Sequence, residues 1–433
     1  MKKIVILSVF TLLVNTFYVS NVKAETLKNA IEKAYNYSEV VGIKREQADF
    51  GKINRDTSIL AMLPTISANY TYNKVLSKSA KYEDPAMMAM SGGMDNVNKT
   101  YIASVSIKST LAFWKTLPGM YVAWKGMTAK EYEYTGFLED FGLLFIQKYM
   151  DVIYNEKALE VYKQMGETLE KKVKKVSVMK QYGAVKNDKV VLAEAQFYKN
   201  KADEIQTQST LDKTKMDYKI MTGEEPVNLE IPNLDNAKLP ANSKEDFIQI
   251  VLAKNSKLRQ SEDEMISQKN YAIIQSFDML PAPYTETAYM HYKLPGMMKY
   301  NAWYTGIGVA WTINGPDNRL ANFRKEYATY RIADLNYSLT RKQTEQDAGY
   351  AWDQYFAMLE LVKATKKALK ASTDSLKEVK VSVATGTATF IDEMDVENQY
   401  LEANLNYLNA QKALILSYYK MFSMTGVGKL PVV

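Results

Sequence analysis

The chain has 433 residues, no cysteine, one histidine and a formal charge of +6. These numbers exclude a disulfide scaffold and a thiolate metal site, and the charge is too small to point to nucleic acid. Thirty-one tyrosines are unusual: core burial covers most of them, and they also fit aromatic surfaces at a membrane interface.

Residues 1–24 read as an export signal: Lys2 and Lys3, an apolar run over 4–13, and Val22-Lys23-Ala24 as a cleavage site. Three lysines lie in that segment, so the remaining chain carries about +3. No cysteine follows the site, so no lipid anchor is expected. No other stretch approaches the roughly 20 apolar residues of a membrane-spanning helix.

A helix is predicted over 26–61, with Leu27, Ile31, Ala34 and Val41 on one face and Pro64 after its end. Two alternating stretches follow, about 65–78 and 101–113. In the first, Ile66, Ala68, Tyr70 and Tyr72 oppose Ser67, Asn69 and Thr71. In the second, Tyr101, Ala103, Val105 and Ile107 oppose Ser104, Ser106 and Lys108. Such alternation fits a membrane barrel strand and equally a half-buried soluble hairpin. The loop 78–100 separates the two strands. A long helix and a return helix are then expected on either side of Gly183, up to residue 223. The stretch 224–242, with Pro226, Pro232 and Pro240, reads as a connection.

The plan then repeats over 243–433: a helix over 243–278 closed by Pro281, strands at about 282–293 and 302–314, a short loop 294–301, a long helix and a return helix. Ala61-Met62-Leu63-Pro64 recurs as Asp278-Met279-Leu280-Pro281, 217 residues on. Tyr182-Gly183, Glu194-Ala195-Gln196 and Thr222-Gly223 recur as Thr385-Gly386, Glu397-Asn398-Gln399 and Thr425-Gly426, 203 residues on. Two tandem structural repeats are therefore expected, the loop 78–100 absorbing the difference in spacing.

Between 319 and 384 there is no proline and one glycine, Gly349. Ala351, Tyr355, Met358, Val362, Thr365, Leu369, Ser372, Leu376, Val379 and Val383 are spaced four and three apart, a heptad seam that implies a coiled coil. A helix of about 65 residues is about 100 Å long, the length of a conduit. Leu159, Tyr162, Gly166, Leu169, Val173 and Val176 carry a degraded copy of the seam, and Met394, Asn398, Leu401, Leu405 and Leu408 line the return helix.

The turn Gly386-Thr387-Ala388-Thr389-Phe390-Ile391-Asp392-Glu393-Met394-Asp395, the Leu-Pro stops and the duplicated order of elements resemble the TolC-type outer-membrane efflux proteins (outer membrane factors) over essentially the whole chain after residue 24. The resemblance implies a mixed fold: a long α-helical coiled-coil barrel plus a transmembrane β-barrel. It implies a homotrimer with four strands per chain in one twelve-stranded barrel, surrounded by membrane lipid, and a tunnel through the periplasm. It further implies efflux or type I secretion of drugs or proteins, with a periplasmic adaptor and an inner-membrane transporter as partners and neither cofactor nor nucleic acid. Four strands cannot close a barrel, so the strand count also asks for several copies.

Asp392 and Asp395, one helical turn apart, are the expected pore constriction: three copies would surround one axis with carboxylates. The alternative is a pair of helix N-terminal acids favoured by the macrodipole. Lys189 and Asp188 are the expected entrance contact, and Gly183 and Gly386 the turns. The arginine two residues after the turn Gly and the tyrosine three before it that hold the family's closed entrance are here Ala388 and Val383. No metal, phosphate-loop or nucleophile motif is present, and His291 stands alone on a predicted strand, so an enzyme is not expected. The competing reading is an exported coiled-coil adhesin or stalk, which would need the heptads but no amphipathic strands.

Overall fold

The computed structural model describes residues 25–74, 76, 99–234, 237–277, 280–294, 298–311 and 318–431. The export signal, most of the loop 78–100 and the end of the fourth expected strand lie outside them.

The elements are α1 (Leu27–Tyr37), α2 (Glu39–Leu60), β1 (Thr65–Lys74), β2 (Lys99–Thr110), α3 (Phe113–Gln181), α4 (Asn187–Thr222), α5 (Lys244–Lys254), α6 (Ser256–Phe277), β3 (Ala282–Leu294), β4 (Met298–Ala310), α7 (Asn318–Thr385) and α8 (Phe390–Phe422). Where the sequence reads one helix over 26–61, the chain breaks at Ser38, whose ψ of 120° is extended. The helix expected over 243–278 breaks in the same way at Asn255, 217 residues later, with ψ 124°. Each break leaves an 11-residue helix followed by one of 22. Asn255 holds its break from both sides: its Oδ1 accepts from Leu258 N at 3.0 Å and its Nδ2 donates to Met424 O at 3.2 Å. The second strand also stops short of 113, because the chain is helical from Phe113 onward.

The four strands form one antiparallel sheet in the order β1-β2-β3-β4. All helices join it at one end, beside Thr65, Thr110, Ala282 and Ala310, and the hairpins lie at the other. Ile66, Val105, Ile107, Trp303, Ile307 and Val309 share one face through the register and are exposed on it. Among the described residues the outer edges of β1 and β4 have no strand partner.

α3 packs along α4 and α7 along α8, with α3 also against α2, α6 and α8. All ten residues of the seam from Ala351 to Val383 are buried or half-buried. The main core surrounds the middle of α3, where Phe145, Tyr149 and Val152 meet Tyr218, Phe247, Trp352, Tyr418 and Tyr419. The connection lies against it: Tyr149 Oη lies 2.8 Å from Glu25 O and 2.7 Å from Glu230 O, its one proton shared between the two carbonyls, and Tyr218 Oη donates to the Glu25 carboxylate at 2.9 Å. From Tyr149, α3 runs on for about 50 Å to the Gly183 turn.

Candidate functional site

The two interhelical turns at the far end of the long helices share one backbone design. Gly183 N donates to Lys180 O and Ala184 N to Met179 O, both at 2.9 Å. Gly386 N donates to Val383 O at 3.3 Å and Thr387 N to Ser382 O at 2.9 Å, each 203 residues on. Both glycines have positive φ, 71° and 79°, which a Cβ would strain.

The helices that leave the two turns start differently. Thr389 caps α8 in a reciprocal box: Asp392 N donates to Thr389 Oγ1, while Asp392 Oδ2 accepts from Thr389 N at 2.8 Å and from Thr389 Oγ1 at 2.7 Å. The Thr389 hydroxyl, and then its N–H, hold the Asp392 carboxyl below its ordinary pKa. The matching position in the first turn is Lys186, which makes no side-chain cap. Asp392 and Asp395 are both exposed and share one face of α8. Asp392 therefore has the capping role of the alternative reading, and its Oδ2 is the oxygen committed to it.

Lys189 is half-buried, and its Nζ reaches Asp188 Oδ2 at 3.9 Å; among the described residues no ion pair joins it to Asp392 or Asp395. It lines a cleft of about 610 Å³ together with Lys171, Lys172, Lys175, Val383, Ala388 and Phe390, so the two family-latch positions face the same space as Lys189. His291 is far from this end, on β3, where its Nδ1 lies 2.6 Å from Asn301 Oδ1. No group of three or more His, Asp or Glu among the described residues is placed to hold a metal ion.

The sequence reading missed a buried ion cluster at this end. Lys172 is buried in the seam of α3, where the sequence suggests Val173, and Val173 is only half-buried. Its Nζ lies 2.6 Å from Glu397 Oε2 and 3.3 Å from Glu393 Oε1, with side chains 7%, 2% and 15% exposed. The Phe390 ring covers the ammonium at 5.2 Å. α8 thus turns Glu393 and Glu397 inward onto α3 and presents Asp392 and Asp395 outward. The available signal was the pair of acids four apart, 393 and 397, on the face of α8 that carries Met394.

No protein-family model matches the chain, and no curated protein matches it. Solved structures do. The Campylobacter jejuni CmeC outer membrane channel is similar with a TM-score of 0.79 at 14% identity, over 93% of this chain and 86% of that one. The outer membrane protein VceC from Vibrio cholerae gives 0.77 at 14% over 92% and 96%. The Neisseria gonorrhoeae MtrE outer membrane channel, in its open state, gives 0.76 at 16% over 93% and 89%. The chain has the fold of the TolC-type outer-membrane channels, and an outer-membrane location fits that fold.

Proposed function

We propose that the chain is one third of a homotrimeric channel-tunnel, built by tandem duplication, that is not an enzyme. Its twelve strands close a barrel in the outer membrane, and its helices form a conduit through the periplasm. The observation that carries this reading is the open sheet: four paired strands, three of them presenting exposed apolar residues on one shared face, with two edges unpaired among the described residues that further copies would close. The matching breaks, turns and helix lengths at fixed offsets support the duplication. A coiled-coil stalk would keep the seam but has no use for this sheet. In this reading an inner-membrane pump and an adaptor deliver drugs or proteins for efflux or type I secretion.

Asp392 and Asp395 are the proposed constriction. Asp392 stays ionised because the charged form accepts both Thr389 hydrogen bonds, and Asp395 lies one turn along the same face. The test is planar-bilayer conductance with a trivalent cation added to each side in turn. Block from the periplasmic side, abolished in Asp392→Ala/Asp395→Ala, is expected. Equal block in both proteins would move the constriction elsewhere. Detergent-extracted protein should have three times the mass of the processed chain, and a soluble monomer would end the reading.

A further inference from the structure

The apolar face of the sheet changes character along its length. Outward from the helices, β1 presents Ile66, Ala68, Tyr70, Tyr72 and then Lys74; β2 presents Ile107, Val105, Ala103, Tyr101 and then Lys99. β3 ends on this face with Tyr289, His291 and Lys293, and β4 enters it with Lys299, Asn301 and Trp303. Residues directly opposed in an antiparallel pair share a face. The register opposes Lys74 to Lys99, Tyr101 to Lys293 and Lys293 to Lys299, so the four lysines form a stepped row of two opposed pairs at the end remote from the helices, the β3–β4 pair level with Tyr72 and Tyr101 and the β1–β2 pair two residues farther out.

On the helical side of each lysine pair its own hairpin carries two rings: Tyr72 and Tyr101, centroids 5.1 Å apart, next to Lys74 and Lys99, and Tyr289 and Trp303, also 5.1 Å apart, beyond His291 and Asn301 from Lys293 and Lys299. Ile66 to Lys74 spans about 27 Å of strand, close to the height of a barrel's apolar band once tilt is allowed for. Along each hairpin the order is hydrocarbon contact, rings, cations. Two directly opposed lysine pairs repel, and the four strands contain a single acid, Glu286, which the register sets opposite Lys108 toward the helical end. The row lacks its counter-charge within the sheet.

We propose that Lys74, Lys99, Lys293 and Lys299 bind the phosphate groups of the phosphorylated glycolipid of the outer leaflet. The inference rests on the barrel reading, which turns this face to lipid and this end to the cell surface. The lipid, rather than free phosphate, is the ligand because the row continues an apolar face: the acyl chains lie along Ile66, Ile107 and Ile307 while the headgroup meets the ammonium groups at the interface.

The test is native mass spectrometry of the full-length protein from nanodiscs containing either lipid A or dephosphorylated lipid A. A parallel sample carries Lys74→Gln, Lys99→Gln, Lys293→Gln and Lys299→Gln together. Wild type should retain lipid A at least about tenfold better than the dephosphorylated form, millimolar inorganic phosphate should not displace it, and the quadruple variant should lose the preference. Equal retention of the two lipids by wild type, or an unchanged preference in the variant, overturns the proposal. Conductance of both proteins separates the two readings: conducting trimers without lipid preference remove only the lysine site. A wild-type chain that stays out of the bilayer removes the barrel and the site with it.

Discussion

Replacing Lys172 by methionine should loosen the end of the helical body that carries the turns. The methionine keeps the length of the stem but leaves the buried Glu397 carboxylate beside Glu393 without its cation. Glu397 Oε1 already has no hydrogen-bond partner, so the ammonium is what balances this carboxylate. Breaking a buried pair by removing one partner costs about 3–5 kcal/mol. At tenfold per ~1.4 kcal/mol, local opening should become about two to three and a half orders of magnitude more frequent. The effect should stay local, because Lys172 lies about 35 Å along α3 from the core at Tyr149. Hydrogen–deuterium exchange of the detergent-solubilised protein measures it, following segments 165–181 and 386–400 against 145–155. Lys174→Met is the control: its pair with Glu170 is 72% and 53% exposed, and such pairs are worth ~0–1 kcal/mol. Adding Glu393→Gln and Glu397→Leu to Lys172→Met should restore most of the protection, since apolar replacement of a buried ion group is often neutral. Exchange in Lys172→Met that matches wild type, or matches Lys174→Met, would refute the reasoning.

Glu139 is buried and its carboxyl is pushed up to about 7 by burial, against the opposing hydrogen bonds from Ser256 Oγ and Gly428 N. Folding therefore takes up a proton between the ordinary carboxylate range and about 7, and stability should fall as pH rises through that window. Glu139→Gln should flatten this fall in thermal melts at pH 5 and pH 7.5, and an unchanged slope would count against it. Gly426→Ala should destabilise more than Gly386→Ala. Both have positive φ, but at Gly426 the new Cβ runs into the Lys254 carbonyl, whereas at Gly386 it meets nothing within 4 Å. The latter should cost about 1–2 kcal/mol, and equal melting shifts for the two would contradict the packing argument. Lys189→Glu should raise single-channel conductance if Lys189 partly neutralises the acids of the second turn; unchanged conductance and gating would dismiss that role.

Much of the fold follows from local rules that a sequence displays directly. Alternation of apolar and small residues marks strands, because successive side chains point to opposite faces. The four-three spacing from Ala351 to Val383 marks a seam, because a helix brings those positions to one side. Pro64, Pro281, Gly183 and Gly386 mark ends and turns through their own backbone limits. The breaks at Ser38 and Asn255 were hidden: neither is glycine or proline, and the extended ψ at Asn255 is held by a carbonyl 169 residues away, at Met424. The ion cluster was hidden for the same reason. Lys172 and Glu397 stand 225 residues apart, and a lysine in a heptad seam looks like an error until another helix crosses it with two carboxylates. The sequence by itself determined the strands, the long helices and their turns, and the seam of α7. Only the tertiary structure decided which charges are buried together, because a buried charge is tolerable solely where the fold brings its partner within hydrogen-bonding distance.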